Sequence, residues 1–162
     1  AALTNKDRPT ALLLSRQNLP ALPKGDMGNI SRGAYVLSEP ADAGLDKPAQ
    51  IVLIATGSEV DLALKAQALL AQRKVAARVV SMPSATTFDR QGDAYKRAVL
   101  LPRKPRVAVE MASTAAWWKY GVSAVIGIDT FGESAPAPVL FRHFGFTPEN
   151  VAAQALAVLK KR

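Results

Sequence analysis

Two rhythms of apolar and polar residues alternate along most of this chain. "QIVLIAT" (50–56) is a continuous run of β-branched residues and leucine, the mark of a strand covered on both faces. "GSEVDLALKAQALLAQRK" (57–74) follows as a helix, with Ser58 and Asp61 fitting a capping box. Glu59 and Asp61 fall in its first turn and Arg73 and Lys74 close its last, a charge order that complements the helix dipole. Asp61 and Lys65 add an i,i+4 pair. "AARVVSM" (76–82) is the next strand, stopped by Pro83. A helix over 93–100, a strand "RVAVE" (106–110), a helix over 113–121 ending at Gly121 and a strand over 123–128 come next. Helices over 135–145 and 148–161 complete the series, the last with Thr147 as N-cap and Pro148 at its first position.

Strands and helices therefore alternate from 50 to 161. That order implies an α/β fold with a mostly parallel sheet and helices on both faces. "AYVL" (34–37) reads as a short strand added at an edge, in the antiparallel sense. It lies between two stretches of loop chemistry, a linker over 20–34 and a break over 38–48.

The amino end raises a separate question. In "TALLLSRQNL" (10–19), Ala11 to Leu14 look like a buried strand, yet the strand runs into Ser15 and Arg16. A guanidinium at a strand end recognises phosphate or carboxylate through a bidentate fork. The alternative is that the strand simply surfaces there. Residue chemistry alone leaves both readings open.

Composition narrows the function classes. The 162 residues fit one domain of ordinary size, and 49% hydrophobic content is enough for a real core. No apolar run approaches the roughly 18 residues that span a bilayer, so no membrane partner is expected. With no cysteine there is no disulfide, no thiolate nucleophile and no Cys-based metal site, and the cytoplasm is the expected compartment. The net charge is +8, but the basic residues are spread out. The acid-free stretch with Lys96, Arg97, Arg103, Lys104 and Arg106 has only Tyr95 beside it, so the interleaved aromatics of a single-strand binder are missing. A solvated surface is expected there, and no nucleic acid. The opening Ala1-Ala2-Leu3 suits a piece of a longer protein or the loss of an initiator Met.

Candidate chemistry is sparse. "IATGSEVDLA" (54–63) joins a strand, a glycine turn and a helix start, where free N–H groups at Gly57 and Ser58 suit a small anion. It is neither a dinucleotide fingerprint nor a P-loop, and Glu59 would repel a phosphate. His143, the only histidine, sits among Phe141, Phe144 and Phe146 as a packed or surface residue. Glu110, Asp129 and Glu133 lie near strand ends, where a sheet can gather them, but their spacing pairs none of them and suggests no metal. Of Trp117 and Trp118, one is expected buried and one half-buried. No catalytic constellation emerges.

Several stretches carry a resemblance: "PTALLLSRQNLP" (9–20), "GAYVL" (33–37), "IVLIATGSEVDLAL" (51–64), "ARVVSMPS" (77–84), "RVAVE" (106–110), "FGESAPAPVLFRHFGFT" (131–147) and "ENVA" (149–152). In this order they resemble the C-terminal part of transketolase, and "EMASTAAWW" after Glu110 departs most from that pattern. The resemblance implies a three-layer α/β/α domain with a mostly parallel, mixed five-stranded sheet over 35–162. It makes 1–19 the terminal strand of a preceding pyrimidine-binding domain and 20–34 the linker. It also implies a parent enzyme that moves a two-carbon ketol unit between sugar-phosphate substrates, works as a homodimer, and uses thiamine diphosphate and Mg²⁺. Those cofactors belong to the two preceding domains, so the resemblance implies no cofactor site, no metal and no catalytic residue in this chain. In this match Arg16 binds the substrate's phosphate group. The competing expectation is a free-standing scaffold or small-anion-binding module, with Gly57 and Ser58 at its site.

Overall fold

A computed structural model describes residues 2–15, 17–22 and 27–161. The β-branched runs become the centre of a five-stranded sheet: β1 Tyr35–Ser38, β2 Ile51–Ala55, β3 Ala77–Ser81, β4 Arg106–Val109 and β5 Ala124–Ile126, in the order β1-β3-β2-β4-β5. β2 pairs in parallel with β3 (Leu53 opposite Val79) and with β4 (Leu53 opposite Val107), and β4 pairs in parallel with β5. β1 is antiparallel to β3, with a register shift between Val36 and Ser38, so the sheet is mixed with one antiparallel edge. Every residue of β2 is buried, as expected of a central strand with both faces covered.

Among the described residues five α-helices flank the sheet: α1 Glu59–Gln72, α2 Ala85–Asp89, α3 Asp93–Leu100, α4 Ala137–His143 and α5 Pro148–Lys160. Ile51, Leu53 and Ala55 face a core built with Val60, Ala63, Leu70, Phe146 and Val151 from α1 and the α4–α5 region. Val52 and Ile54 face the opposite core with Phe88, Val99, Trp117 and Tyr120. Side chains alternate across a strand, so one strand supplies both cores and the fold has three layers.

α3 has the expected bounds, and α5 starts as expected, with Thr147 Oγ1 accepting from Asn150 N at 3.2 Å. The Asp61–Lys65 pair forms at 2.6 Å.

Four local expectations are corrected. Ser58 does not cap α1: it is already in helical backbone geometry, and its hydroxyl donates to Glu59 Oε1 at 2.8 Å instead. α1 stops at Gln72, so Arg73 is its cap and Lys74 follows at φ 61°. The segment over 113–121 forms a 3-10 helix, Thr114–Tyr120, closed by Gly121 at φ 63°. Ala11–Leu14 form no strand and are not buried: Leu12, Leu13 and Leu14 are 72%, 91% and 85% exposed. An apolar extended segment needs a neighbouring strand on its edge, and none of β1–β5 provides one.

The two stretches read as loop carry 3-10 helices, Met27–Arg32 and Pro40–Ala43. The stretch after Pro83, given no element by the sequence, forms α2, set by Ser84, whose hydroxyl accepts from Thr87 N at 3.3 Å. Pro40–Ala43 forms a 3-10 turn begun by Glu39, whose backbone N donates to Asp42 Oδ2 at 2.7 Å. Glu39 then receives the Arg78 guanidinium through Nε at 3.1 Å and Nη2 at 2.6 Å, which ties this turn to β3.

Candidate functional site

The chain leaves β2 through α1 on one face of the sheet and leaves β4 through the 3-10 helix Thr114–Tyr120 on the other. Adjacent strands whose connections part in this way open a crevice at their C-terminal ends, the usual ligand position in an open α/β sheet. Thr56, Gly57, Ser58 and Glu59 follow β2 on one side, and Glu110 and Met111 follow β4 on the other. A cavity of about 840 Å³ opens there, walled also by Pro83, by Phe141 of α4 and by Leu12–Ser15.

Two carboxylates face this cavity. Glu59 is 5% exposed, accepts from the Ser58 hydroxyl, and is pushed above the usual carboxylate range by burial, with the nearby Glu110 charge adding to the shift. Glu110 is fixed by the Trp117 indole, whose Nε1 donates to Oε2 at 2.7 Å. Trp117 is 4% exposed and Trp118 is 52% exposed, the expected division between them.

The remaining candidates are scattered. Gly57 turns the chain at φ 55°, and Ser58 beside it spends its proton on Glu59. Asp129 accepts from Ser113 Oγ at 3.1 Å, Thr114 N at 2.9 Å and Thr114 Oγ1 at 2.7 Å, and these bonds hold its carboxyl below the usual range. Glu133 is exposed on the loop that follows. His143 ends α4, exposed, with its ring edge-on to Phe144 at 4.7 Å. Arg16 lies outside the described residues. Among the described residues no group of three or more His, Asp or Glu side chains could hold a metal ion, and no helix is long and apolar enough to cross a membrane.

The pairing of Glu59 with Glu110 escaped the sequence reading. Their positions are 51 residues apart and become neighbours only because β4 crosses over to lie beside β2. The available signal was that Glu110 directly follows one fully buried strand and Glu59 opens the helix after another.

This sheet order, with one antiparallel edge and a glycine turn after β2, has a counterpart among known proteins. A family model described as the transketolase-like TK C-terminal domain matches residues 33–147. The chain belongs to this transketolase C-terminal domain family. Transketolase 1 of Escherichia coli is 49% identical over 160 residues, covering 95% of this chain and 23% of the relative. Transketolase 1 of Saccharomyces cerevisiae is 44% identical, covering 95% of this chain and 22% of the relative. The crystal structure of a mutant Pichia stipitis transketolase complexed with xylulose 5-phosphate superposes with a TM-score of 0.80 at 40% identity, over 90% of this chain and 20% of that one. A split-gene transketolase solved as an inactive β4 tetramer shares the fold, with a TM-score of 0.64 at 23% identity over 90% of this chain and 48% of its own. The chain thus spans less than a quarter of the length of these curated transketolases.

Proposed function

We propose that this chain is the C-terminal domain of a transketolase, an enzyme that transfers a two-carbon ketol unit between sugar phosphates. The family match over 33–147, together with coverage of only 23% of a 49%-identical transketolase, carries this reading. The complete enzyme works as a homodimer in the cytoplasm and uses thiamine diphosphate with Mg²⁺, which would supply the carbanion-stabilising chemistry when bound.

The described residues of this domain do not fit that cofactor. A diphosphate with its Mg²⁺ needs N–H donors for the phosphates and carboxylate or carbonyl ligands for the metal. The crevice after β2 and β4 is lined by two carboxylates and, among the described residues, by no Lys, Arg or His, and one of the carboxylates is buried at the start of α1 where an anion would otherwise sit. The same pair opposes a small anion at Gly57 and Ser58. On its own the domain is structural or dimer-supporting, and inactive.

Arg16 belongs, in this reading, to the terminal strand of the preceding pyrimidine-binding domain, over 1–19, with 20–34 as linker. Its guanidinium grips the phosphate of the sugar substrate by charge-assisted hydrogen bonds. The exposed leucines at 12–14 support that placement, because a strand lacking its own sheet shows the side chains that the sheet would cover.

The test is an assay of ketol transfer from xylulose 5-phosphate to ribose 5-phosphate. The polypeptide carrying the preceding domains turns over, and the present chain alone does not. Absence of turnover in the longer polypeptide, loaded with cofactor and Mg²⁺, would refute the reading.

A further inference from the structure

"FGESAPA" (131–137), one of the stretches that carry the family resemblance, does almost nothing inside this domain. Residues 129–136 are all exposed and belong to no regular element, and Phe131 is 97% exposed. A phenyl ring held in water forgoes the burial free energy that makes aromatic residues the usual anchors of interfaces. The loop is nevertheless pinned at both ends. Asp129 ties its start to Ser113 and Thr114, and Pro136 starts α4, with its carbonyl accepting from Val139 N at 2.9 Å and Leu140 N at 3.2 Å. The ring is therefore presented from a fixed base.

Its position gives the partner. The loop leaves β5 at the C-terminal edge of the sheet and leads into α4, whose Leu140 and Phe141 wall the Glu59–Glu110 cavity together with Leu12–Leu14. The exposed leucines and the exposed phenylalanine thus emerge at one edge. In the proposed reading the leucine segment also leads toward the preceding domains, which lie in the part of the relatives' length that this chain does not span. Charge adds a second constraint. Asp129 and Glu133 are exposed on the loop itself, so the face that meets it is apolar with a basic rim.

We propose that the loop over 129–136 is a docking element, with Phe131 as its anchor, that seats the preceding domain of the longer polypeptide on the C-terminal edge of this sheet. The inference rests on the reading of the chain as a C-terminal domain.

The chain has no cysteine, so a single introduced thiol reports the contact. Glu133→Cys places it two residues from the anchor, and Lys104→Cys, before β4 at the opposite edge, is the control. Each is labelled with a charged maleimide, and modification is followed on the peptide by mass spectrometry. The thiol at 133 reacts about tenfold more slowly or less in the longer polypeptide than in the present chain, equivalent to about 1.4 kcal/mol of closure. The thiol at 104 reacts alike in both, and adding Phe131→Ser removes the protection at 133. Equal rates at 133 in both proteins overturn the proposal, as does protection that survives Phe131→Ser. Protection in the present chain alone that grows with concentration assigns the loop to a second copy and also overturns it. Ketol transfer by the longer polypeptide is measured alongside. Turnover with an unprotected thiol refutes the docking inference alone, and a protected thiol without turnover refutes the functional reading alone.

Discussion

The indole N–H of Trp117 donates to Glu110 Oε2 across 2.7 Å, joining the 3-10 helix to the end of β4 and fixing one of the two carboxylates of the crevice. A hydrogen bond to a charged acceptor is worth about 1.5–3 kcal/mol. Trp117→Phe keeps an aromatic ring in the core and deletes the donor, so it is expected to cost about 2 kcal/mol. The urea midpoint should fall accordingly; an unchanged midpoint contradicts the role given to this bond.

Glu59 sets a pH dependence of opposite sense to ordinary acid denaturation. Burial raises its carboxyl above 4.5, so between that value and the raised one the folded chain holds a proton that the unfolded chain has lost. The stability it contributes is complete below the ordinary value and lost as pH rises through the raised one. Asp89 works the other way. Burial alone would raise its carboxyl, but the hydrogen bonds from Lys119 at 2.6 Å and Tyr120 at 2.8 Å, with the Lys119 and Lys96 charges, outweigh that and lower it. The two effects separate in a difference measurement. Glu59→Gln is expected to be more stable than the parent at neutral pH, with the advantage vanishing by about pH 4, where both side chains are neutral. Urea titrations across that range check it, and a constant difference at all pH values contradicts it.

Gly33 is held at φ +88°, and a Cβ there would meet Phe88 N and Ser84 O, both of them backbone atoms. Ser84 N also donates to Gly33 O at 2.9 Å, so this close approach locks the entry of β1 onto the start of α2. The left-handed backbone alone costs an alanine about 1–2 kcal/mol, and the backbone clash adds to it. Thermal unfolding of Gly33→Ala should show a lower midpoint than the parent, and an equal one contradicts the packing described.

Arg16→Ala in the complete enzyme is expected to raise KM for phosphorylated sugars about tenfold or more, from the loss of one charge-assisted contact. Steady-state kinetics on ribose 5-phosphate measure it. Unchanged KM would remove Arg16 from the substrate site.

The sequence made the sheet legible because β2 is a continuous apolar run that needs cover on both faces, because β3 and β4 are short valine-rich stretches, and because prolines and glycines punctuate them. Thr147 and Pro148 marked α5 for the same local reason. What depends on distant partners did not show. Ser58 looked like a cap, but its hydroxyl donates to the Glu59 carboxylate instead. α2 is too short to announce itself beyond Ser84. "ALLL" has the composition of a strand, but a strand is completed by its neighbour, and none of β1–β5 pairs with it.

The candidate site was legible as a place, the glycine turn after β2, though not as chemistry. Asp129 and Glu110 were visible as carboxylates near strand ends. Their actual work, tying a loop to Ser113 and Thr114 and accepting from Trp117, is set by packing between segments that sequence spacing does not reveal.

As the proposed C-terminal domain of a longer enzyme, this chain is expected to hold none of the cofactor machinery. Isothermal calorimetry of the purified chain with thiamine diphosphate and Mg²⁺ tests it most directly. No saturable heat is expected across the micromolar range, whereas a micromolar dissociation constant would contradict the account.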